Sequence, residues 1–322
     1  MYKKFYKLRK DPFALGATVH YLYLSKPHKE ALRFLTSCVS GTKGHILLLG
    51  DAGSGKTSVL QAFLTNLDKR LHFAHLRHPN LSETELLSQL IHAAFEKTVD
   101  FHVEVEPWQA FKKLLRLTLE PEKFYIFVID EAQSLSVETL NRLSNLTDLD
   151  MGFPGQVKLL LVGRPELDAK LKSEGCEGLQ SRIGYRHVIP ALDLEDSLGY
   201  IHTRLEKAGG TSAIFSAGAV GAVYGFSNGV PRDINKLAGN SLLAGAVKGE
   251  KTISAETVSK CYEDFRLGKP FIEFKPEGHV AKEGAKAERD FRGIFRKALW
   301  AVVLTVVVLL ALAFGVRLLH RP

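Results

Sequence analysis

Three short apolar runs stand out along the chain: His45–Leu49, Phe124–Ile129 and Val157–Val162. Each is closed by Gly, Asp or Pro within two residues. Continuous apolar runs of this length are the pattern of strands covered on both faces of a parallel sheet. A shorter strand is read at Tyr185–Ile189. Between the runs the spacing becomes helical. Val59, Leu60, Phe63, Leu64 and Leu67 give one apolar face, and Leu86, Leu87, Leu90, Ile91, Ala94 and Phe95 give another over residues 82–97. Ser82 and Glu85 form a capping box at the start of that second helix. Strands alternating with helices predict an α/β fold, a parallel sheet flanked by helices.

From residue 193 onward the periodicity is helical only. Asp193 caps a helix with Asp196 at its third position, its apolar stripe is Leu194, Leu198, Ile201 and Leu205, and Gly209–Gly210 ends it. Ser216 opens a second helix. Pro231 opens a third, whose face is Ile234, Leu237, Ala238, Ser241 and Leu242, and Ser254 caps a fourth through about Phe265. Residues 193–267 therefore read as a small helical lid domain, and residues 268–281, with Pro270, Pro276 and Gly278, as a linker.

A different pattern follows. Ala298–Val316 is an uncharged apolar stretch of 19 residues. As a helix it would span about 28 Å, close to the ~30 Å hydrocarbon core of a bilayer. Trp300 lies near one boundary, and Arg289, Arg292, Arg296 and Lys297 precede it. The positive-inside rule then places residues 1–297 in the cytosol, anchored by a single pass with residues 317–322 beyond it. No apolar segment of the signal-peptide kind follows the basic start.

Composition is that of a globular protein: 322 residues, 45% hydrophobic and 24% charged. This excludes a disordered tail, a collagen-like fibre and a small disulfide scaffold. The three cysteines, Cys38, Cys176 and Cys261, are far apart and read as reduced thiols. The net charge is +8, but it sits at the ends. Residues 1–10 carry five bases and no acid, and residues 282–297 carry six bases against three acids. The body between them is close to neutral, which argues against nucleic acid as a partner.

The candidate chemistry lies where the strands end. His45–Leu49 runs into Gly50-Asp51-Ala52-Gly53-Ser54-Gly55-Lys56-Thr57, followed by Ser58. This is GxxxxGK[ST], in which glycines let backbone amides face a phosphate, the lysine reaches the outer phosphates and the threonine hydroxyl holds Mg²⁺. The helix that starts there points its positive end at the anion. The second run ends in Asp130-Glu131: Asp130 suits the metal and Glu131 suits polarising the attacking water. The ligand expected is ATP with Mg²⁺. The third run ends at Gly163-Arg164-Pro165, where Arg164 is either a sensor of the terminal phosphate or part of a plain strand-to-helix turn. Arg182, in Leu179-Gln-Ser-Arg-Ile183, reads as an exposed arginine able to enter a neighbouring subunit's site, with Arg186 as its rival. Arg232 starts the Pro231 helix and could reach back to the nucleotide. His72, His75 and His78 fall on opposite strand faces and do not form a metal site.

Together these residues resemble the ATPase of the general secretion pathway, component A, a membrane-anchored AAA+ protein acting in type II secretion. The resemblance begins with Phe5-Tyr6-Lys7-Leu8, Asp11-Pro12-Phe13, Tyr23-Leu24-Ser25 and His28-Lys29-Glu30-Ala31-Leu32. It continues through the glycine loop, 129–136, 161–167, 179–183 and 229–237, covering about residues 1–265. With the patterns above, the chain then divides into an N-terminal family segment (1–40), a nucleotide-binding domain (41–192), the lid (193–267), a basic juxtamembrane linker (268–297) and the membrane helix (298–316). The resemblance further implies ATP hydrolysis in a homo-oligomeric, hexameric ring, Arg182 as the trans arginine, Arg232 as the lid sensor, and an inner-membrane or periplasmic envelope partner. Two departures stand against it. The family usually has Gln where Arg164 stands, and members typically continue into a periplasmic peptidoglycan-binding domain, so either a grip on the cell wall comes from a partner or the chain is a shortened variant. Shorter pilus-biogenesis relatives leave that system open. The competing reading is a DNA-associated AAA+ ATPase of the transposon target-selection or initiator type.

Overall fold

The computed structural model describes residues 2–14, 23–40, 44–67, 71–77, 81–95, 106–118, 123–145 and 156–267, all within one compact unit, Met1–Lys269. His78, the linker 268–297 and the apolar stretch 298–316 lie outside the described residues. Among the described residues no helix is long and apolar enough to cross a membrane.

Five strands form one parallel sheet: β1 (His45–Gly50), β2 (Leu71–Leu76), β3 (Phe124–Ile129), β4 (Val157–Gly163) and β5 (Ile183–Ile189). Their spatial order is β2-β3-β4-β1-β5, so the chain crosses over between every successive pair. Helices α1 (Tyr2–Phe5) and α2 (Lys26–Ser40) precede β1, and the crossovers carry α3 (Lys56–Thr65), α4 (Glu83–Phe95), α5 (Pro107–Thr118), α6 (Val137–Ser144), α7 (Pro165–Leu171) and α8 (Glu177–Arg182).

Both sheet faces are covered, which is why the strands are apolar without alternation. Ile46 and Leu48, Ile126 and Val128, and Leu160 and Val162 face α2 and α3 with Leu35, Val59 and Phe63. Their neighbours Leu47, Leu49, Phe127, Ile129, Leu159 and Leu161 face the other way, into Leu86, Leu90, Phe111 and Leu140. At about 25 cal/mol per Å² these buried side chains supply most of the force holding the layers together.

A third core belongs to the lid: α9 (Leu194–Lys207), α10 (Ala217–Ser227), α11 (Pro231–Lys248) and α12 (Ala255–Arg266). The N-terminal segment is part of this core, through Tyr6, Leu8 and Phe13. Asp193, Ser216 and Ser254 cap their helices as the sequence predicts, each accepting from the amide three residues on. The expected stripe on α9 needs correction: Leu194 and Leu198 are exposed, and the face turned inward carries Ser197, Tyr200, Ile201, Arg204 and Leu205. Gly229, in the turn before α11, has φ +71°, and an added Cβ would stand 1.9 Å from the Leu192 carbonyl oxygen. Only glycine fits there, in the turn between α10 and α11, and its carbonyl accepts the Leu192 amide just before α9.

Candidate nucleotide site

The glycine loop leaves β1 between β4 and β5 and enters α3. Gly53 and Gly55 both lie in the left-handed region, at φ +87° and +99°. A Cβ on Gly53 would meet Arg232 Cβ at 2.4 Å, and one on Gly55 would meet His28 Nε2 at 2.5 Å. Backbone conformation and space thus both demand glycine. The free amides at the start of α3 give the loop its affinity for anions.

Lys56 is buried, and its Nζ donates to the carbonyls of Gly50 (2.7 Å) and Asp51 (3.0 Å). Burial lowers its pKa, opposed by the carboxylates of Glu131 and Asp130. The Thr57 hydroxyl donates to Asp130 Oδ2 at 3.0 Å. This places the two residues expected to hold a metal side by side, although they are 73 positions apart. Asp130 Oδ1 accepts the Glu131 amide at 2.9 Å. Burial raises the Asp130 pKa in spite of these two hydrogen bonds.

Glu131 has φ +54°, a conformation costly for a side chain of this size and typical of functional positions. Its Oε2 accepts from Gln133 Nε2 at 2.6 Å and lies 3.5 Å from Arg164 Nε. Gln133 Oε1 in turn accepts the Arg164 amide at 3.2 Å. Gln133 therefore bridges the ends of β3 and β4. The strand-to-helix turn at Arg164 is also real: Pro165 takes the first position of α7. Arg164 thus belongs to the turn and stands beside Glu131.

Across the loop lies an open cleft of about 370 Å³, closed on the lid side by Tyr200, Arg204, Arg232 and Asn235. Arg232 is exposed at the start of α11, and its amide donates to the Gly53 carbonyl at 3.3 Å. Behind it, the Tyr200 hydroxyl donates to Asn235 Oδ1 (3.0 Å) and accepts from Arg204 Nη1 (2.8 Å). Arg204 Nε donates to the Pro12 carbonyl at 2.6 Å. None of Tyr200, Arg204, Asn235 or Gln133 stood out in the sequence as a site residue. Only Gln133 carried a signal, its place two residues after Glu131.

Arg182 is not brought to this cleft. It precedes β5, whereas the loop follows β1, and a strand of this length separates the two ends of the sheet by roughly 20 Å. It is half-buried rather than exposed, and Nη1 donates to the Ser144 carbonyl at 2.9 Å. Arg186 is exposed and pairs with Asp168. His72 stacks on Tyr125, and burial pushes the His75 pKa down to about 4. Among the described residues no group of His, Cys, Asp or Glu is arranged to hold a metal ion by itself, and all three cysteines are free and buried.

The donor set fits a nucleotide with its metal: glycine amides, a buried lysine, a hydroxyl paired with a buried carboxylate, and a second carboxylate held beside them. Comparison with known proteins agrees. The family model for the AAA domain matches residues 39–171. The chain is 30% identical over 254 residues to general secretion pathway protein A of Aeromonas hydrophila, which covers 79% of this chain. The chain spans about half the length of that relative, 46%. Among solved structures, Cdc6p from Pyrobaculum aerophilum is similar at a TM-score of 0.61 and 17% identity, covering 80% of this chain and 71% of that one. The ORC2 protein of Aeropyrum pernix, with ADPNP and ADP, is similar at 0.58 and 17%, covering 79% and 71%. At such identities these two likenesses speak for the fold alone.

Proposed function

The chain is a AAA ATPase of the general secretion pathway protein A type, and from that premise we propose that it binds ATP and hydrolyses it to drive assembly or operation of a cell-envelope secretion or pilus complex. The observation that carries the reading is the 3.0 Å contact between Thr57 and Asp130, with Glu131 at the next position. A hydroxyl and a carboxylate so placed would hold Mg²⁺, which supplies charge neutralisation on the phosphates. Lys56 would leave the loop carbonyls for the outer phosphates. Glu131, positioned by Gln133, would take the proton of the attacking water. Arg164, beside Glu131, would answer to the terminal phosphate, and Arg232 would register it from the lid.

Arg182 lies at the far end of the sheet from its own cleft, so its use in catalysis would come in trans, in a homo-oligomeric ring. Motion of the lid would then pass through residues 268–297 to the apolar stretch 298–316, anchored in the inner membrane with the AAA body in the cytoplasm, and so to an envelope partner. Mg²⁺-dependent phosphate release by the full chain tests the site. Lys56→Ala is expected to lose it at least a hundredfold; unchanged turnover would reject the assignment. Turnover stimulated by DNA in a salt-dependent way would instead favour the initiator-like reading.

A further inference from the structure

Residues 23–28 connect the glycine loop to the lid through a chain of hydrogen bonds, buried on the loop side and partly buried on the lid side. Ser25 stands just before α2, and its Oγ accepts the His28 amide at 3.4 Å, the geometry of a helix cap. The same hydroxyl lies 2.8 Å from His28 Nδ1. The opposite ring nitrogen, Nε2, lies 2.8 Å from the carbonyl of Ser54. A carbonyl only accepts, so Nε2 carries the proton and Nδ1 accepts from Ser25. Ser25, His28 and Ser54 are exposed by 1, 4 and 2%. Burial lowers the His28 pKa, in keeping with this neutral ring.

The other end of the chain of contacts is on the lid. The Lys26 amide, first of α2, donates to both carboxylate oxygens of Asp196 at 3.2 Å. The Tyr23 hydroxyl reaches Asp196 Oδ1 at 3.4 Å, and Lys26 Nζ reaches Glu195 at 2.6 Å. Asp196 is itself buried, and its charge meets the positive end of α2. The start of α2 is thus clasped by the lid on one side and holds the loop on the other.

The consequence for the loop is set by peptide geometry. A trans peptide points its C=O and N–H in opposite directions. Pinning the Ser54 carbonyl to His28 therefore turns the Gly55 N–H away from His28, and Gly55 lines the cleft. We propose that His28 is a positioning residue for the nucleotide. It fixes the Ser54–Gly55 peptide and, through the start of α2 and Asp196, sets that peptide together with the lid.

The inference rests on the nucleotide reading, and its test separates the two. ADP is titrated calorimetrically into the detergent-solubilised full chain, and amide hydrogen exchange is followed with and without saturating ADP. His28→Leu, which can neither donate to Ser54 nor accept from Ser25, should weaken ADP binding about tenfold, the value of one buried hydrogen bond. His28→Gln keeps a donor and an acceptor on the side chain and should stay within about threefold of the parent. In the parent and His28→Gln, ADP should slow exchange at Lys26–His28 and at the start of α9; in His28→Leu that protection should be lost even at saturation. A residue that only supported the fold would leave this nucleotide-dependent difference intact. Should His28→Leu fail to fold, Ser25→Ala, which keeps the ring but removes its anchor, is expected between the parent and the tenfold loss. Parent-like affinity with parent-like protection in the folded variant overturns the inference, whereas a parent chain that binds no ADP overturns the nucleotide reading beneath it.

Discussion

Asp130→Asn should make the nucleotide-free protein more stable while removing its activity. Asp130 is 3% exposed. Burial raises its pKa even though Thr57 and the Glu131 amide donate to it and Lys56 is near. The folded protein therefore favours the neutral carboxyl more than water does, and the ionised form at neutral pH costs stability. Asparagine keeps the shape. Its Oδ1 can accept the Glu131 amide, and its Nδ2 would face the Thr57 hydroxyl, which can turn to accept. Relief of strain at functional positions commonly gives about 0.5–2 kcal/mol. For a chain of this size 1 kcal/mol is roughly 2–4 °C in Tm, so a rise of about that size is expected at pH 8 in EDTA.

The sign reverses neither way but fades with acid. A carboxyl whose folded pKa is raised contributes most stability when protonated, below its unfolded value, and loses it as pH climbs through the folded value. Asparagine does not titrate. Its advantage over the parent should therefore be full at pH 8 and shrink as pH falls. Thermal unfolding followed by circular dichroism, with both chains at pH 8 and pH 5, measures the gap. A lower Tm for the variant at pH 8, or a gap that does not change with pH, would refute the reasoning. Mg²⁺-dependent phosphate release by the same variant should fall at least a hundredfold, by the usual size of such deletions.

Two further substitutions address the joints of the site. Gln133→Ala removes the 2.6 Å hydrogen bond to Glu131, whose side chain is 33% exposed, so the loss is near the modest end, about 1 kcal/mol; kcat should drop roughly fivefold with KM unchanged, and a KM effect alone would show that Gln133 acts in binding. Gly229→Ala forces a Cβ to within 1.9 Å of a backbone oxygen at φ +71°. Left-handed strain alone costs about 1–2 kcal/mol, so the urea midpoint should fall clearly, and a midpoint equal to the parent's would refute the tight turn at Leu192.

The strands were legible because β1, β3 and β4 are covered on both faces and so must be apolar at every position. β5 was read two residues short: it lies at the sheet edge, and exposed Gly184, Arg186 and Val188 alternate with half-buried Tyr185 and His187. The glycine loop and the Asp130–Glu131 pair were legible for a related reason. Each is a contiguous stretch whose chemistry is dictated by the residues themselves, and parallel pairing of β3 with β4 and β4 with β1 then brings the ends together. What could not be read was the partnering of polar side chains across the fold. On α9 the leucines Leu194 and Leu198 turn outward, while Tyr200 and Arg204 turn inward. That inversion is tolerable only because Asn235 and the carbonyls of Pro12 and Ala14, from distant parts of the chain, satisfy their hydrogen bonds. A helical pattern counts such residues as polar and assigns them to water, since the partners that make their burial inexpensive lie outside any local window. Asp196 shows the same thing where the lid meets α2. Its spacing from Asp193 marks it as a residue of the first helical turn, and its amide does take that cap, but its carboxylate is held by the start of a helix 170 positions earlier. The chemistry of the cleft is thus written locally, and its coupling to the lid is written in pairs that only the folded chain brings together.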